Sequence, residues 1–171
     1  MKTQGFTLME ILAVLLILAV VASFAVPMVR RVRDEVRYQQ ARSAALKMAD
    51  AIRSYYQNTR GYYPVGCIGS GDGCEKLTIT TADAACTDVA ATGIPASATT
   101  KTVNIKQLFA CDYLSVKDFA GLPYTFAQPN SPIDADVLVT VTGEAAANKY
   151  ANKYFNVYRD MSLSAEASAK N

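Results

Sequence analysis

From Ile11 to Val29 the chain reads ILAVLLILAVVASFAVPMV, an apolar run in which Ser23 is the only side chain able to hydrogen-bond. At roughly 1.5 Å per residue the run makes about 28 Å of helix, close to the roughly 30 Å hydrocarbon core of a bilayer. It predicts a helix long enough to span a membrane. Past Val29 the pattern turns amphipathic. Val29, Val32 and Val36, then Ala41, Ala45, Met48, Ile52 and Tyr55, form an apolar stripe with Arg, Asp, Glu and Gln between its members. The expectation is one continuous helix to about Asn58, with Gly61 as the signal that ends it. Pro27 removes a backbone donor late in the apolar run and is expected to kink or loosen the helix around residues 22–26.

Beyond Gly61 the helical period is lost. Gly61-Tyr-Tyr-Pro64 reads as a turn out of the helix. Residues 61–121 are expected to be an irregular region with a short helical turn at 106–110, and with Leu108, Phe109, Tyr113, Leu114 and Phe119 in the core. The stretch 78–102 is rich in Thr, Ala and Ser and carries no sustained period, as in variable or functional surface. Segments 124–126, 136–141 and 154–158 alternate or run apolar and are read as strands. The predicted fold is α+β: a long N-terminal helix packed on a small antiparallel sheet of three or four strands. The tail, 162–171, is small and polar and is expected to fray.

Composition adds mainly exclusions. The net charge of +2 is too small to argue for nucleic acid as a partner. Basic residues cluster at Arg30, Arg31, Arg33, Arg37 and Arg42, diluted by Asp34 and Glu35; a solvated helix face or contact with lipid headgroups accounts for them. Histidine is absent, so imidazole metal ligation and histidine-based triads have no residue to build on. No nucleophile–base pair or cofactor fingerprint stands out, and no enzymatic role, cofactor or metal is expected. Gly69-Ser-Gly71-Asp-Gly73 lacks the ending of a phosphate-binding loop and reads as plain loop. Asp134 and Asp136 are two carboxylates where calcium needs six to eight oxygens, so a solvated loop is the expectation. The cysteines, Cys67, Cys74, Cys86 and Cys111, are even in number and lie outside the apolar run, which suggests disulfides in an oxidising compartment. Three pairings are possible; Cys67–Cys74 with Cys86–Cys111 is favoured because sequence neighbours close short loops.

The N-terminus carries the specific signal. Glu10 stands at the mouth of the apolar run, where a carboxylate in lipid costs free energy unless it is neutralised. A secretory signal peptide has an apolar region of about 7–15 residues, shorter than this one. Thr7-Leu-Met-Glu10 also fits a capping box, but that leaves the preceding Gly-Phe unexplained. The segment from Lys2 through Gly5, Phe6, Thr7 and Glu10, followed by its apolar run and Pro27, resembles the leader and helix of type IV prepilins. The likeness is close over about the first 60 residues.

The resemblance implies removal of residues 1–5 by a prepilin peptidase, cleavage falling between Gly5 and Phe6, and N-methylation of Phe6. Phe6 and Glu10, four residues apart, share a helix face. The new amine is free to pair with the Glu10 carboxylate of a neighbouring subunit or of its own chain, and an ion pair in lipid is much cheaper than a lone carboxylate. On this reading 6–29 is the membrane-spanning and filament-core half of the helix, 30–60 its amphipathic half, 61–121 a cysteine-bearing region of loops and short elements, and 122–161 the sheet. Pro27 marks the part of the helix expected to extend in a filament.

The implied function is a structural subunit of a type IV pilus, a helical filament of identical chains. Its partners would be the prepilin peptidase, the assembly machinery of the inner membrane, and the lipid bilayer before assembly. A pseudopilin of type II secretion shares the leader and helix; a membrane-anchored enzyme or receptor domain is the reading from another class. The arginines that follow the apolar run, set against Lys2, would by the positive-inside rule keep the head in the cytoplasm. The cysteines and the prepilin resemblance place it outside, with the N-terminus in the cytoplasm.

Overall fold

The computed structural model describes residues 8–59, 61–69, 74, 102–128 and 136–168. One helix, α1 (Leu8–Asn58), runs through Pro27 without interruption of its assignment. It ends as the sequence predicts. The amide of Gly61 reaches back to the carbonyl of Tyr56 at 3.0 Å, and Gly61 takes φ +104°, a conformation that glycine adopts without strain. Thr59 adds amide and hydroxyl bonds to the Tyr55 carbonyl, closing the last turn.

The head is built on the C-terminal half of α1. Ala41, Ala44, Ala45, Met48, Ala49, Ala51, Ile52 and Tyr55 are buried. The small alanines let the sheet approach the helix backbone, while Met48, Ile52 and Tyr55 fill the space between. The predicted stripe holds from Ala41 onward but not before it. Val29, Val32 and Val36 remain exposed, Val32 by 54%. Val29 and Val32 precede the head, at a level where every residue is exposed, and Val36 is out of phase: it stands five residues from Ala41, and five steps of about 100° turn it by about 140°, away from the buried stripe.

The chain continues through β1 (Tyr63–Ile68), β2 (Thr102–Asn104), α2 (Gln107–Ala110), a 3-10 turn (Val116–Asp118), β3 (Tyr124–Gln128), β4 (Val137–Gly143), a 3-10 strap (Ala145–Tyr150), β5 (Lys153–Tyr158) and β6 (Ala167–Ser168). Among the described residues the sheet has six strands in the order β2-β1-β3-β4-β5-β6. It is larger than expected and mixed: β1 pairs with β2 in parallel, and every other pairing is antiparallel. Two corrections follow. Tyr63-Pro64, read as a turn, begins a strand, because Pro64 sits in the parallel edge pairing opposite Val103. The expected loose tail instead supplies β6, which pairs Tyr154 with Ala167 and Lys153 with Ser168; Glu166 also bonds Lys153.

Alternation sets the buried face. Tyr124 and Phe126 point inward on β3, Phe155 and Val157 on β5, and Val139 and Val141 on β4. Leu138 and Val139 are both buried because the β4–β5 register shifts between Val137 and Val139, as at a bulge. Of the head residues expected in the core, Leu108, Leu114 and Phe119 are buried, and Phe109 and Tyr113 pack against them half-buried. Phe119 meets Phe126 and Phe109 edge to face. The α+β class is therefore as the sequence implies, and the core lies wholly between Ala41 and Val157.

Candidate functional site

Two features stand out once the core is placed: the uncovered N-terminal half of α1, and the contact where the helix first meets the head. Every residue from Leu8 to Arg33 is exposed, Leu8 by 79% and Phe24 by 74%. The helix is long and apolar enough to cross a membrane, and none of its apolar stretch is covered by the head. Ser23, the one polar side chain within the run, turns its hydroxyl back onto the Val20 carbonyl at 2.7 Å, which satisfies it within the helix. Pro27 offers no N–H to the Ser23 carbonyl one turn earlier. Glu10 lies in the first described turn and is exposed. Such a rod, carrying one carboxylate at its mouth, can bury itself only against lipid or against other apolar helices.

The second feature fixes the rod to the head. The Ala145–Tyr150 strap folds onto α1 at Asp34, Glu35 and Tyr38. Asn148 donates from Nδ2 to Asp34 Oδ1 at 3.0 Å, and Tyr150 donates its hydroxyl to Glu35 Oε2 at 2.5 Å. Lys149 Nζ stands 3.8 Å from the same carboxylate oxygen. The Tyr150 ring stacks flat on Tyr38, with centroids 4.2 Å apart and planes 5° apart, and Phe155 meets Tyr38 edge-on at 5.7 Å. Lys149 and Lys153 lie over the Tyr150 ring at 5.0 and 5.5 Å, and Arg42 lies over Tyr38 at 5.9 Å. Asn148 holds φ +51°, an uncommon conformation for a residue with a side chain, at the point where it reaches Asp34.

Titration reflects the packing. The Tyr150 hydrogen bond, with help from Gln39, Lys149 and Arg42, holds the Glu35 carboxyl below its ordinary value. Burial, then the hydrogen bond and charge of Glu35, push the Tyr150 hydroxyl well above the usual tyrosine range. Burial does the same at Tyr124.

The structure brings only some of the predicted site residues into view. Glu10 and Pro27 lie on the exposed rod, about 26 Å apart along the axis. Gly5 and Phe6 lie outside the described residues. Cys67, on β1, is bonded to Cys74 with their Cα atoms 4.7 Å apart. Cys111 is also disulfide-bonded, and Cys86 lies outside the described residues. Asp134 and most of the Gly69–Gly73 loop lie outside them too, while Asp136 is exposed at the start of β4. Among the described residues no cluster of three Asp, Glu or Cys side chains could hold a metal ion. Sequence reading missed the strap. Its one signal was the pair Asp34-Glu35 set among arginines, a sign of acids wanted locally by something else.

The prokaryotic N-terminal methylation motif matches residues 1–26, the segment that ends in the uncovered apolar helix. Over those residues the chain carries the motif of type IV pilin- and pseudopilin-like proteins. No curated protein and no solved structure matches the chain. The matched motif and the globular head occupy separate stretches: the motif ends at residue 26 and the core begins at Ala41. The head therefore leaves the matched segment open along its described length.

Proposed function

We propose that this chain is the structural subunit of a type IV pilus, with an architectural rather than a catalytic role. The precursor sits in the inner membrane with its N-terminus in the cytoplasm and its head outside. Prepilin peptidase removes residues 1–5 and Phe6 is N-methylated. The assembly machinery then moves the apolar helix from lipid into a bundle of identical helices, and the heads tile the outside of an extracellular filament. The observation that carries this reading is the full exposure of α1 from Leu8 to Arg33, next to a head that buries the same helix from Ala41 onward. A membrane anchor needs the apolar rod but not the motif at its start; a polymer subunit uses both.

Glu10 has a defined part in this account. It is the only ionisable side chain between Leu8 and Val29. An amine on Phe6 of a neighbouring subunit pairs with that carboxylate in a low-dielectric core, and so sets the axial register between chains.

Electron microscopy of fibres sheared from the source cells, with mass spectrometry of their N-terminal peptide, tests the proposal. Long surface fibres whose subunit begins at methylated Phe6 are expected. Fibres that retain Met1 would contradict the processing step. Loss of protein secretion without loss of surface fibres, on deletion of the gene, would assign the chain to a type II secretion pseudopilus instead.

A further inference from the structure

The segment of α1 just past the apolar run is uncovered by the head and carries three arginines within about one turn. We propose that it is a binding surface for the anionic phosphates of phospholipid headgroups, carried by Arg30, Arg31 and Arg33. The inference rests on the reading of Leu8–Val29 as membrane-spanning and adds a lipid class to it.

Length places the arginines. Twenty-two residues from Leu8 to Val29 make about 33 Å of helix, so the next turn emerges at the phosphate plane of the far leaflet. Arg30, Arg31 and Arg33 are exposed there, and none has an ion-pair partner among the described residues. The carboxylates that would otherwise neutralise them are Asp34 and Glu35. Both are drawn to the strap, Asp34 by Asn148 and Glu35 by Tyr150 and Lys149. The strap therefore does two things: it fixes the head to the helix, and it gives the local acids partners of its own. Lys149 adds a further exposed cation at the same level.

Val29 and Val32 are exposed among the arginines. A helix that leaves the bilayer at this level can hold phosphate oxygens in pairs with its guanidinium groups. The cluster contradicts the positive-inside rule when the head is outside. A headgroup-binding function explains why arginines stand there nonetheless.

The protein contains no tryptophan, so one can be introduced as a reporter. Full-length V32W and F24W are reconstituted into vesicles of phosphatidylcholine and of phosphatidylcholine with phosphatidylglycerol, and emission and quenching by brominated lipid are read. F24W is expected to be quenched in both, which establishes insertion; an unquenched F24W would sink the membrane-spanning reading and this proposal with it. V32W is expected to shift to the blue and be quenched more strongly with phosphatidylglycerol. That difference should vanish in high salt and in V32W carrying R30Q, R31Q and R33Q, with helix content by circular dichroism unchanged. Inorganic phosphate added to phosphatidylcholine vesicles should not reproduce it; if it does, the arginines take free phosphate and the headgroup assignment is overturned. Equal V32W signals in the two lipids, with F24W inserted, overturn it as well. So does a triple arginine variant that changes fibre yield and leaves the lipid dependence intact, which would assign the arginines to carboxylates of a neighbouring subunit.

Discussion

The hydroxyl of Tyr150 donates a 2.5 Å hydrogen bond to the carboxylate of Glu35, joining residues 115 positions apart. The contact marks the level at which α1 stops being a free rod and becomes part of the head. Below it Tyr38 stacks on the same ring, and the buried face starts one turn later at Ala41. Truncation of Tyr150 to alanine removes a buried aromatic, its stack and the hydrogen bond. It is expected to cost about 3–5 kcal/mol of head stability, read by denaturant unfolding of the full chain in detergent.

Acid should loosen this contact through Glu35. Its carboxyl is held below the ordinary 4.5, first by the Tyr150 hydrogen bond. A carboxyl depressed in the folded state contributes stability above its unfolded value and loses it as pH falls through 4.5 and below. The stability gap between wild type and E35Q is therefore expected to be widest near neutral pH and to close in acid. A gap that stays constant with pH would show that the charge of Glu35 contributes nothing.

Gly143 has no room for a side chain. A Cβ there would lie 1.9 Å from the Tyr150 carbonyl oxygen, and backbone cannot give way as a flexible side chain can. G143A is expected to displace the strap and cost at least about 1–3 kcal/mol. Loss of the Tyr38–Tyr150 stack should accompany it, visible as a change in near-ultraviolet circular dichroism.

Covered and uncovered apolar positions of α1 should respond differently to added bulk. Ala45 is fully buried against the sheet, so A45L is expected to overpack the core and cost about 1–3 kcal/mol. Val32 is exposed ahead of the head, so V32L should leave head unfolding unchanged. Equal losses from both would mean that the head packs on α1 ahead of Asp34 as well.

The Cys67–Cys74 bridge closes a short loop next to β1. Its removal by paired serine substitution is expected to lower stability by about 2–3 kcal/mol, from the loop-closure entropy returned to the unfolded chain. Unfolding with and without reductant checks it, since the serine variant should lose its share of the reductant effect.

The long helix was legible because nothing competes with its signal: an unbroken apolar run, a polar change of pattern, and a glycine at its end. Core positions such as Leu108 and Leu114 were legible from apolarity, and β3 to β5 from alternation. The rest depended on pairings that a linear reading does not contain. Tyr63–Ile68 becomes a strand because Gln128, Ala127 and Phe126 lie alongside it, and its parallel partner begins only at Thr102. The valine stripe was misjudged because the head does not reach Val29 and Val32, and Val36 is out of phase with Ala41. The strap was hidden because Asn148 needs Asp34, and Tyr150 needs Glu35, from the other end of the chain. The rod and its acidic residue were plain in the sequence for the opposite reason: they are local.

The central claim is that Glu10 acts between subunits, at the start of a helix built for assembly. The most direct measurement is fibre yield from cells expressing E10A, with the membrane-bound pool of the same protein measured in parallel. The account predicts fibres lost or reduced to a trace while the variant accumulates in the membrane fraction with its head folded. Fibres at wild-type yield from E10A would contradict it.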